Sequence, residues 1–152
     1  MTPLFTKLNL KNQTEILVLN APESFEPELE AFDEVSVLED IDDIAVITFA
    51  LAFVTKQEEL NATAIEIAEK AHGDAVIWFA YPKGSSKKYK CDFDRDTGWD
   101  VLGKLGFEGV RQVAIDADWS ALRFRRVGFI KTMTRDQKRA MTEQGKARVS
   151  ED

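Results

Sequence analysis

The chain has 152 residues, of which 44% are hydrophobic and 31% charged, so it fits one globular domain and excludes collagen-like, coiled-coil and wholly disordered proteins. Its net charge of −7 disfavours general nucleic-acid binding, because the phosphates would be repelled. A single cysteine, Cys91, excludes an internal disulfide and a cysteine-based metal site, and we predict no metal. No apolar stretch approaches the ~20 residues that span a bilayer. With no signal-peptide pattern at the start, we expect a cytoplasmic protein that does not bind membranes.

Six short apolar runs alternate with helical patterns along the chain. The predicted strands lie at residues 15–20, 35–38, 44–50, 74–82, 109–115 and 120–124. The predicted helices lie at residues 24–32, 55–71 and 97–105, with a single turn at 7–11, and Gly73 and Gly106 are expected to end the last two helices. This alternation predicts right-handed βαβ units and a mostly parallel sheet. The last two strands are joined by a few residues, so that pair must be antiparallel.

The predicted fold class is α/β, a Rossmann-like three-layer sandwich with an antiparallel strand near the C-terminus. We assign residues 1–126 to this domain and residues 127–152 to a polar, partly helical tail. Helical composition in the tail spans 134–146, and its obvious anchors are Val127, Phe129 and Ile130.

Sheets of this kind bind ligands at the carboxyl ends of their strands, here Asn20, Ala50, Tyr81 and Asp116. Polar and cationic side chains cluster after those ends, and we expect them to line an anion or ligand site. They are Lys83, Ser85, Ser86, Arg95, Asp116, Trp119 and Arg123. No catalytic residue can be assigned from the pattern.

The loop at residues 83–88 supplies lysines, serines and a flexible glycine that together could hold a phosphate or carboxylate. It does not have the Walker A spacing, and a mobile solvated loop is the alternative. Arg123 and Arg125 share a strand face and could form an anion fork with Arg95, or could instead pair with nearby aspartates at 96, 116 and 118. Trp119 could stack on a ligand or cap the core.

Two reactive residue types argue against common hydrolase chemistry. His72 is the only histidine, and it lies at the amino end of the central strand, away from Ser85 and Ser86. A Ser-His-Asp triad is therefore not expected. Cys91 follows lysines that could lower its pKa, but we favour a bystander thiol.

Several segments, taken in order, resemble a known family. They are residues 16–25, 80–86, 95–96 and 112–125. They resemble an uncharacterised bacterial domain-of-unknown-function family over roughly residues 7–126. The resemblance implies a layout like that of S-adenosylmethionine-dependent methyltransferases, and no established activity.

The chain departs from active methyltransferases at the turn after the first strand. A glycine-rich turn is expected there, but residues 20–25 contain no glycine, and Pro22 lacks an N–H donor. The acid that would bind the ribose has candidates in Glu39 and Asp40. The resemblance thus supports the fold and disfavours S-adenosylmethionine, so no cofactor is predicted.

Three functions remain open from the sequence. The first is a non-catalytic domain that binds a small anion or a protein partner at the carboxyl ends of the strands. The second is a methyltransferase with an unorthodox cofactor loop. The third is an acidic scaffold, because residues 1–73 carry 4 Lys and Arg against 15 Asp and Glu. The sequence gives no oligomeric state.

Overall fold

The protein is described by a computed structural model that covers residues 2–130. One sheet of six strands runs through it in the order β2-β1-β3-β4-β6-β5. The strands are β1 Glu15–Leu19, β2 Ser36–Leu38, β3 Ile47–Phe53, β4 Ala71–Pro82, β5 Phe107–Ala114 and β6 Trp119–Arg126. The pairs β2-β1, β1-β3 and β3-β4 are parallel, whereas β6 runs antiparallel to both β4 and β5. The predicted Rossmann-like, methyltransferase-like α/β topology is confirmed.

Helices cover both faces of the sheet. The α-helices are α1 Pro3–Lys7, α2 Glu26–Glu30, α3 Gln57–Lys70 and α4 Asp100–Lys104. The α3/α4 core layer contains Leu60, Ile67 and Leu102. The α1/α2 core layer, on the other face, contains Phe5 and Leu29. Because β3 and the second half of β4 are buried on both faces, they read as continuous apolar runs.

The segment after α1 is tied to the middle of the sheet. The indole Nε1 of Trp78, which is fully buried in β4, donates a hydrogen bond of 2.8 Å to the carbonyl oxygen of Leu8. Buried indole N–H groups need a partner, and this one lies 70 residues away in the sequence. The bond fixes where the N-terminal segment crosses the α1/α2 layer.

Two details of the chain path differ from the sequence predictions. Strand β3 ends at Phe53, so its carboxyl end lies beyond the predicted Ala50. Helix α3 ends at Lys70 and β4 begins at Ala71, so Gly73 does not cap the helix. Gly73 has φ 61° inside β4, beside the irregularity where the β3–β4 register shifts. Glycine suits a helix cap and a strand irregularity alike, because both require a left-handed backbone.

The described part of the tail is short. A single 3-10 turn spans Val127–Phe129, in which Val127 is buried, as is Ile130 after it, whereas Phe129 is 43% exposed. The helix predicted for 134–146 lies outside the described residues. Between residues 2 and 130, no helix has the length and hydrophobicity required to cross a membrane.

Candidate functional site

The turn after β1 has a left-handed residue at its start. Asn20 follows β1 directly with φ 58°, and Pro22 (φ −68°) leads into a 3-10 turn over Glu23–Phe25. Among residues with a side chain, asparagine adopts this conformation most readily. The backbone therefore turns here without a glycine. Beneath the turn Phe25 is buried, with its ring centroid 5.0 Å from that of Phe53 at the end of β3.

Acidic residues follow β2, the neighbouring strand. Leu38, the last residue of β2, pairs with Leu17 of β1, so Glu39 and Asp40 lie beside the end of β1. Both are exposed. The Oδ1 of Asp40 accepts a hydrogen bond of 2.9 Å from the Asp42 N–H and so caps the following turn. Glu39 is the other exposed acid beside this strand end.

A cavity of about 900 Å³ opens after the end of β4. Its wall includes Tyr81, Tyr89, Phe93 and Gln112. The Tyr81 hydroxyl oxygen accepts a hydrogen bond of 3.1 Å from Gln112 Nε2. Burial raises the pKa of Tyr81 to about 12. The phenol is therefore protonated at neutral pH, so its hydroxyl is able to donate a hydrogen bond and does not serve as a base.

Side-chain hydrogen bonds fix the loop that forms the outer wall of this cavity. Asp94 Oδ1 accepts from the N–H groups of Asp96 and Thr97, both at 2.9 Å, and from the Thr97 hydroxyl at 3.0 Å. These bonds hold the pKa of the Asp94 carboxyl below its usual range. The carboxylate is ionised at neutral pH, and its role is to shape the loop.

The same loop is anchored to the start of α3. Asp92 Oδ1 accepts a hydrogen bond of 2.6 Å from the Gln57 N–H, the first residue of the helix. Gln57 Nε2 in turn donates to the Gly98 carbonyl oxygen at 2.7 Å. The N-cap residue of α3 is Lys56, and within residues 2–130 its side chain makes no capping hydrogen bond. The loop therefore supplies the acceptor that this helix N-terminus lacks.

Three of the predicted site residues line the cavity: Lys83, Ser86 and Arg95. Ser86 Oγ donates to Asp118 Oδ1 at 2.9 Å and also accepts from two backbone N–H groups, so its hydroxyl is used within the loop. Arg95 is 57% exposed and lies 3.4 Å from the carboxylate of Asp96. Ser85 is exposed and is not part of the cavity wall.

The remaining predicted residues have other positions. Asp116 Oδ1 accepts from the Asp118 and Trp119 N–H groups and so closes the β5–β6 turn. Trp119 is buried, with ring centroids 5.1 Å from Phe53 and 4.8 Å from Tyr89. Its indole N–H is buried and has no hydrogen-bond partner among residues 2–130.

Arg123 does not join the rim. It lies opposite Trp78, four residues before the end of β4, which places it ~13 Å below the strand ends. Its predicted companion Arg125 binds Asp74 through two hydrogen bonds of 2.7 and 2.8 Å, near the amino end of the sheet. The structure therefore does not bring Arg123 and Arg125 together with Arg95.

Sequence reasoning missed the residues that build the cavity wall. Tyr81 and Gln112 are 31 residues apart and meet only through the sheet. The spacing of Asp94, Asp96 and Thr97 was a usable local signal, because aspartate commonly accepts from the backbone two and three residues on. Cys91 also lines the cavity, and burial raises the pKa of its thiol, so of the two interpretations that the sequence left open, the lowered pKa is wrong.

A second, smaller cavity lies at the opposite end of the strands, near their amino ends. It measures about 480 Å³ and is lined by His72 and Asp74 together with polar residues before and within β1. His72 is thus far from the serines of the loop, as predicted from the strand direction. Within residues 2–130, no three His, Cys, Asp or Glu side chains are grouped to hold a metal ion.

Comparison with known proteins gives a fold and no close relative. No protein-family model matches the chain, and no curated protein matches it. A methyltransferase from Aquifex aeolicus, described as S-adenosylmethionine-dependent, aligns with a TM-score of 0.55 and 13% identity over 82% of this chain and 88% of its own. The N-methyltransferase NodS from Bradyrhizobium japonicum WM9 aligns with a TM-score of 0.52 and 11% identity over 81% of this chain and 92% of its own.

Some of these structures contain the cofactor or its product. NodS has also been solved with S-adenosyl-L-homocysteine, with a TM-score of 0.52 and 10% identity over 82% of this chain and 83% of its own. A magnesium protoporphyrin IX methyltransferase from Synechocystis PCC 6803 contains bound S-adenosylmethionine. It aligns with a TM-score of 0.51 and 13% identity over 81% of this chain and 74% of its own.

These neighbours contradict two predictions from the sequence. We favoured a non-catalytic domain, and we predicted no cofactor. Both are wrong, because the solved structures named above are methyltransferases and some of them hold the cofactor or its product. The missing glycine carried too much weight, since Asn20 supplies the left-handed turn for which a glycine was expected.

Proposed function

We propose that the protein is an S-adenosylmethionine-dependent methyltransferase. The observation that carries the proposal is the left-handed Asn20 turn beside an exposed Glu39, at adjacent strand ends of a methyltransferase-like sheet. The left-handed backbone at Asn20 turns the chain at the carboxyl end of a strand, where sheets of this kind bind their ligands. An exposed carboxylate at the neighbouring strand end is able to accept hydrogen bonds from ribose hydroxyls.

The residues of the turn fit the cofactor in kind. The backbone of Asn20 and Ala21 would contact its amino-acid portion, and Glu39 would bind its ribose. When bound, S-adenosylmethionine supplies an electrophilic methyl group. Pro22 offers no N–H donor, so fewer backbone donors are present than in a glycine-rich turn. We therefore expect a weaker cofactor affinity than a glycine-rich turn would give.

The cavity after β4 is the place we propose for the methyl acceptor. Only β3 separates β1 from β4, so the two strands lie ~10 Å apart across the sheet, and β4 continues through Ala80 and Tyr81 to Pro82 beyond the level of the end of β1. Tyr81 would donate its hydroxyl proton in a hydrogen bond to an acceptor oxygen or nitrogen, because Gln112 already occupies one side of its oxygen. Phe93 and Tyr89 contribute aromatic rings to the wall of the cavity.

Calorimetric titration with S-adenosylmethionine and S-adenosylhomocysteine tests the proposal. We expect binding by the wild type, and Glu39→Gln should lower the affinity by ~10-fold or more, because a charged acceptor is lost. Asp43→Asn is the matched control, since it removes one exposed carboxylate from the turn that follows. No heat at millimolar ligand would overturn the proposal, and equal losses in both variants would show that Glu39 does not bind the ribose.

Other parts of the sequence interpretation stay predictions. They are the cytoplasmic location, the bacterial family of unknown function, the absence of nucleic-acid and membrane partners, and the division into a domain and a tail. The seven rim residues also stay a prediction as a set, and among them Lys83, Ser86 and Arg95 line the cavity that we propose for the methyl acceptor.

A further inference from the structure

Three arginines share one face of the antiparallel part of the sheet. Arg123 and Arg125 are two residues apart in β6, so their side chains point to the same side. Arg111 of β5 pairs directly with Arg123 across the two strands. Asp74 is the carboxylate that contacts this arginine cluster, and it binds Arg125 with both oxygens.

Among residues 2–130, neither Arg111 nor Arg123 has an ion-pair partner, although the Asp74 carboxylate acts on Arg123 from a distance. Like charges directly opposite each other on neighbouring strands are destabilising. Arg123 is half-buried, and its Nε is buried without a hydrogen-bond partner among residues 2–130. Burial, together with the charges of Arg125 and Arg111, lowers the pKa of its guanidinium. Folding alone gives no reason to retain two facing cations and an unpaired buried donor.

The pair is separate from the proposed cofactor and acceptor sites. Arg123 lies opposite Trp78, four residues before the end of β4, whereas the cavity begins at Tyr81. Trp119 and Tyr89, which contact each other, pack at the rim end of β6. Trp78, which pairs with Arg123 across β4 and β6, is fully buried and hydrogen-bonded to Leu8, so a fixed aromatic side chain lies beside Arg123.

We propose that Arg111 and Arg123 form a binding site for a compact oxyanion, the phosphate or carboxylate group of a small molecule. Opposed side chains on neighbouring strands start ~5 Å apart, so one oxyanion is able to bridge both guanidinium groups. Arginine pairs with phosphate and carboxylate through two parallel hydrogen bonds, and Arg123 Nε is an unused donor for such a fork. Arg125 is already neutralised by Asp74 and frames the site.

Thermal unfolding in low salt tests the site with two probes, inorganic phosphate and acetate, and with sodium chloride at matched ionic strength. We expect one of the two anions to raise the midpoint of the wild type beyond the chloride effect. Arg111→Gln, at an exposed position, should remove that rise and lower the calorimetric affinity for the same anion by ~10-fold or more. A response to phosphate alone identifies a phosphate site, and a response to acetate alone a carboxylate site.

The variants also distinguish a ligand site from a structural pair. Without added anion, Arg111→Gln should unfold at the same or a higher temperature than the wild type, because it relieves the repulsion. Lys104→Gln in α4, on the other face of the sheet, removes the same charge and should keep the response to the anion. The side-chain Nε–Hε NMR signal of Arg123 should shift on titration with the anion.

Three results would each overturn the proposal. They are a wild type that responds to neither anion beyond chloride, an Arg111→Gln variant that keeps the wild-type response, and an Arg111→Gln variant that is clearly less stable than Lys104→Gln in anion-free buffer. The last result would show that the pair stabilises the fold.

Discussion

The turn after β1 and the loop after β4 both follow the carboxyl ends of strands but are built in different ways. The turn is short, and one backbone angle, the φ of 58° at Asn20, sets its course. The loop at residues 83–99 gets its shape from aspartate side chains that accept backbone hydrogen bonds, and from two contacts with the start of α3. A proposed cofactor site therefore depends on conformation, and a proposed acceptor site on side-chain contacts.

This difference implies that the two regions respond to different substitutions. Removing one hydrogen bond from the loop leaves several others in place, so its structure should weaken gradually. The turn has no comparable set of bonds, so its geometry depends on whether residue 20 tolerates a left-handed backbone. Four predictions test this contrast, beginning with the largest expected effect.

Gly98 is a position in the loop that does not accommodate a larger side chain. Its φ is 94°, and an added Cβ would lie 2.7 Å from the Cβ of Phe93. Gly98→Ala should lower the free energy of unfolding by about 2–4 kcal/mol, through overpacking and a strained backbone. Chemical unfolding measures this loss. Gly84→Ala is the control in the same loop, because no atom lies within 4 Å of its added Cβ, and a similar loss there would contradict the explanation.

Tyr81 should make the stability of the cavity wall depend on alkaline pH. Its folded pKa of about 12 exceeds the ordinary value of 10.0, so the protonated phenol favours the folded state. The stabilisation is complete below pH 10 and is lost as pH rises towards 12. In the wild type we expect a loss of about 1–2 kcal/mol across this window.

Urea unfolding across that pH window, with the Tyr81→Phe variant, checks the assignment to Tyr81. The variant should be less stable at neutral pH by about 0.5–1.5 kcal/mol, because the hydrogen bond from Gln112 is lost. It should also show a shallower alkaline decline. Parallel pH profiles for the two proteins would refute the assignment.

Asn20 should distinguish conformation from side-chain chemistry in the turn. Asn20→Ala should lower the free energy of unfolding by about 1 kcal/mol, because alanine disfavours a left-handed backbone. Asn20→Gly should stay within about 0.5 kcal/mol of the wild type and keep its affinity for S-adenosylmethionine. If the glycine variant loses as much affinity as the alanine variant, the Asn20 amide itself contacts the cofactor.

Asp92 should show the smallest effect, since it is one of two ties between the loop and α3. Asp92→Ala removes the acceptor for the Gln57 N–H and should cost about 0.5–1 kcal/mol. Asp96→Ala breaks an exposed ion pair with Arg95 and should change stability by less than about 0.5 kcal/mol. Equal losses in the two variants would mean that Asp92 does not act as a helix cap.

The sequence predicted the fold well because its strands are strongly patterned. All six strands were found, and the largest displacement is in β3, where 44–46 was included and 51–53 omitted. Ile44 is buried but lies before the strand, and Val46 is 50% exposed, so apolar composition alone placed the start too early. Gly73 was misplaced because a helix cap and a strand irregularity require the same backbone angle.

The candidate site was harder to predict because strand order decides which residues meet. Spacing along the chain does not reveal that β6 lies between β4 and β5, nor that Gln112 of β5 reaches across β6 to Tyr81 of β4. It also carries Arg123 away from the rim and opposite Arg111. At the turn after β1 the search was for glycine, whereas the chain meets the conformational requirement with Asn20.

The three tryptophans give the protein its own optical probes. Trp78 reports on the segment around Leu8 through its hydrogen bond, and Trp99 packs in the α3/α4 layer next to Phe93 of the cavity wall. Trp119 lies between Phe53 and Tyr89 at the strand ends, with an indole N–H that has no partner among residues 2–130. Fluorescence from a variant that keeps only Trp119 would therefore follow ligand entry at the carboxyl-end rim without any attached dye.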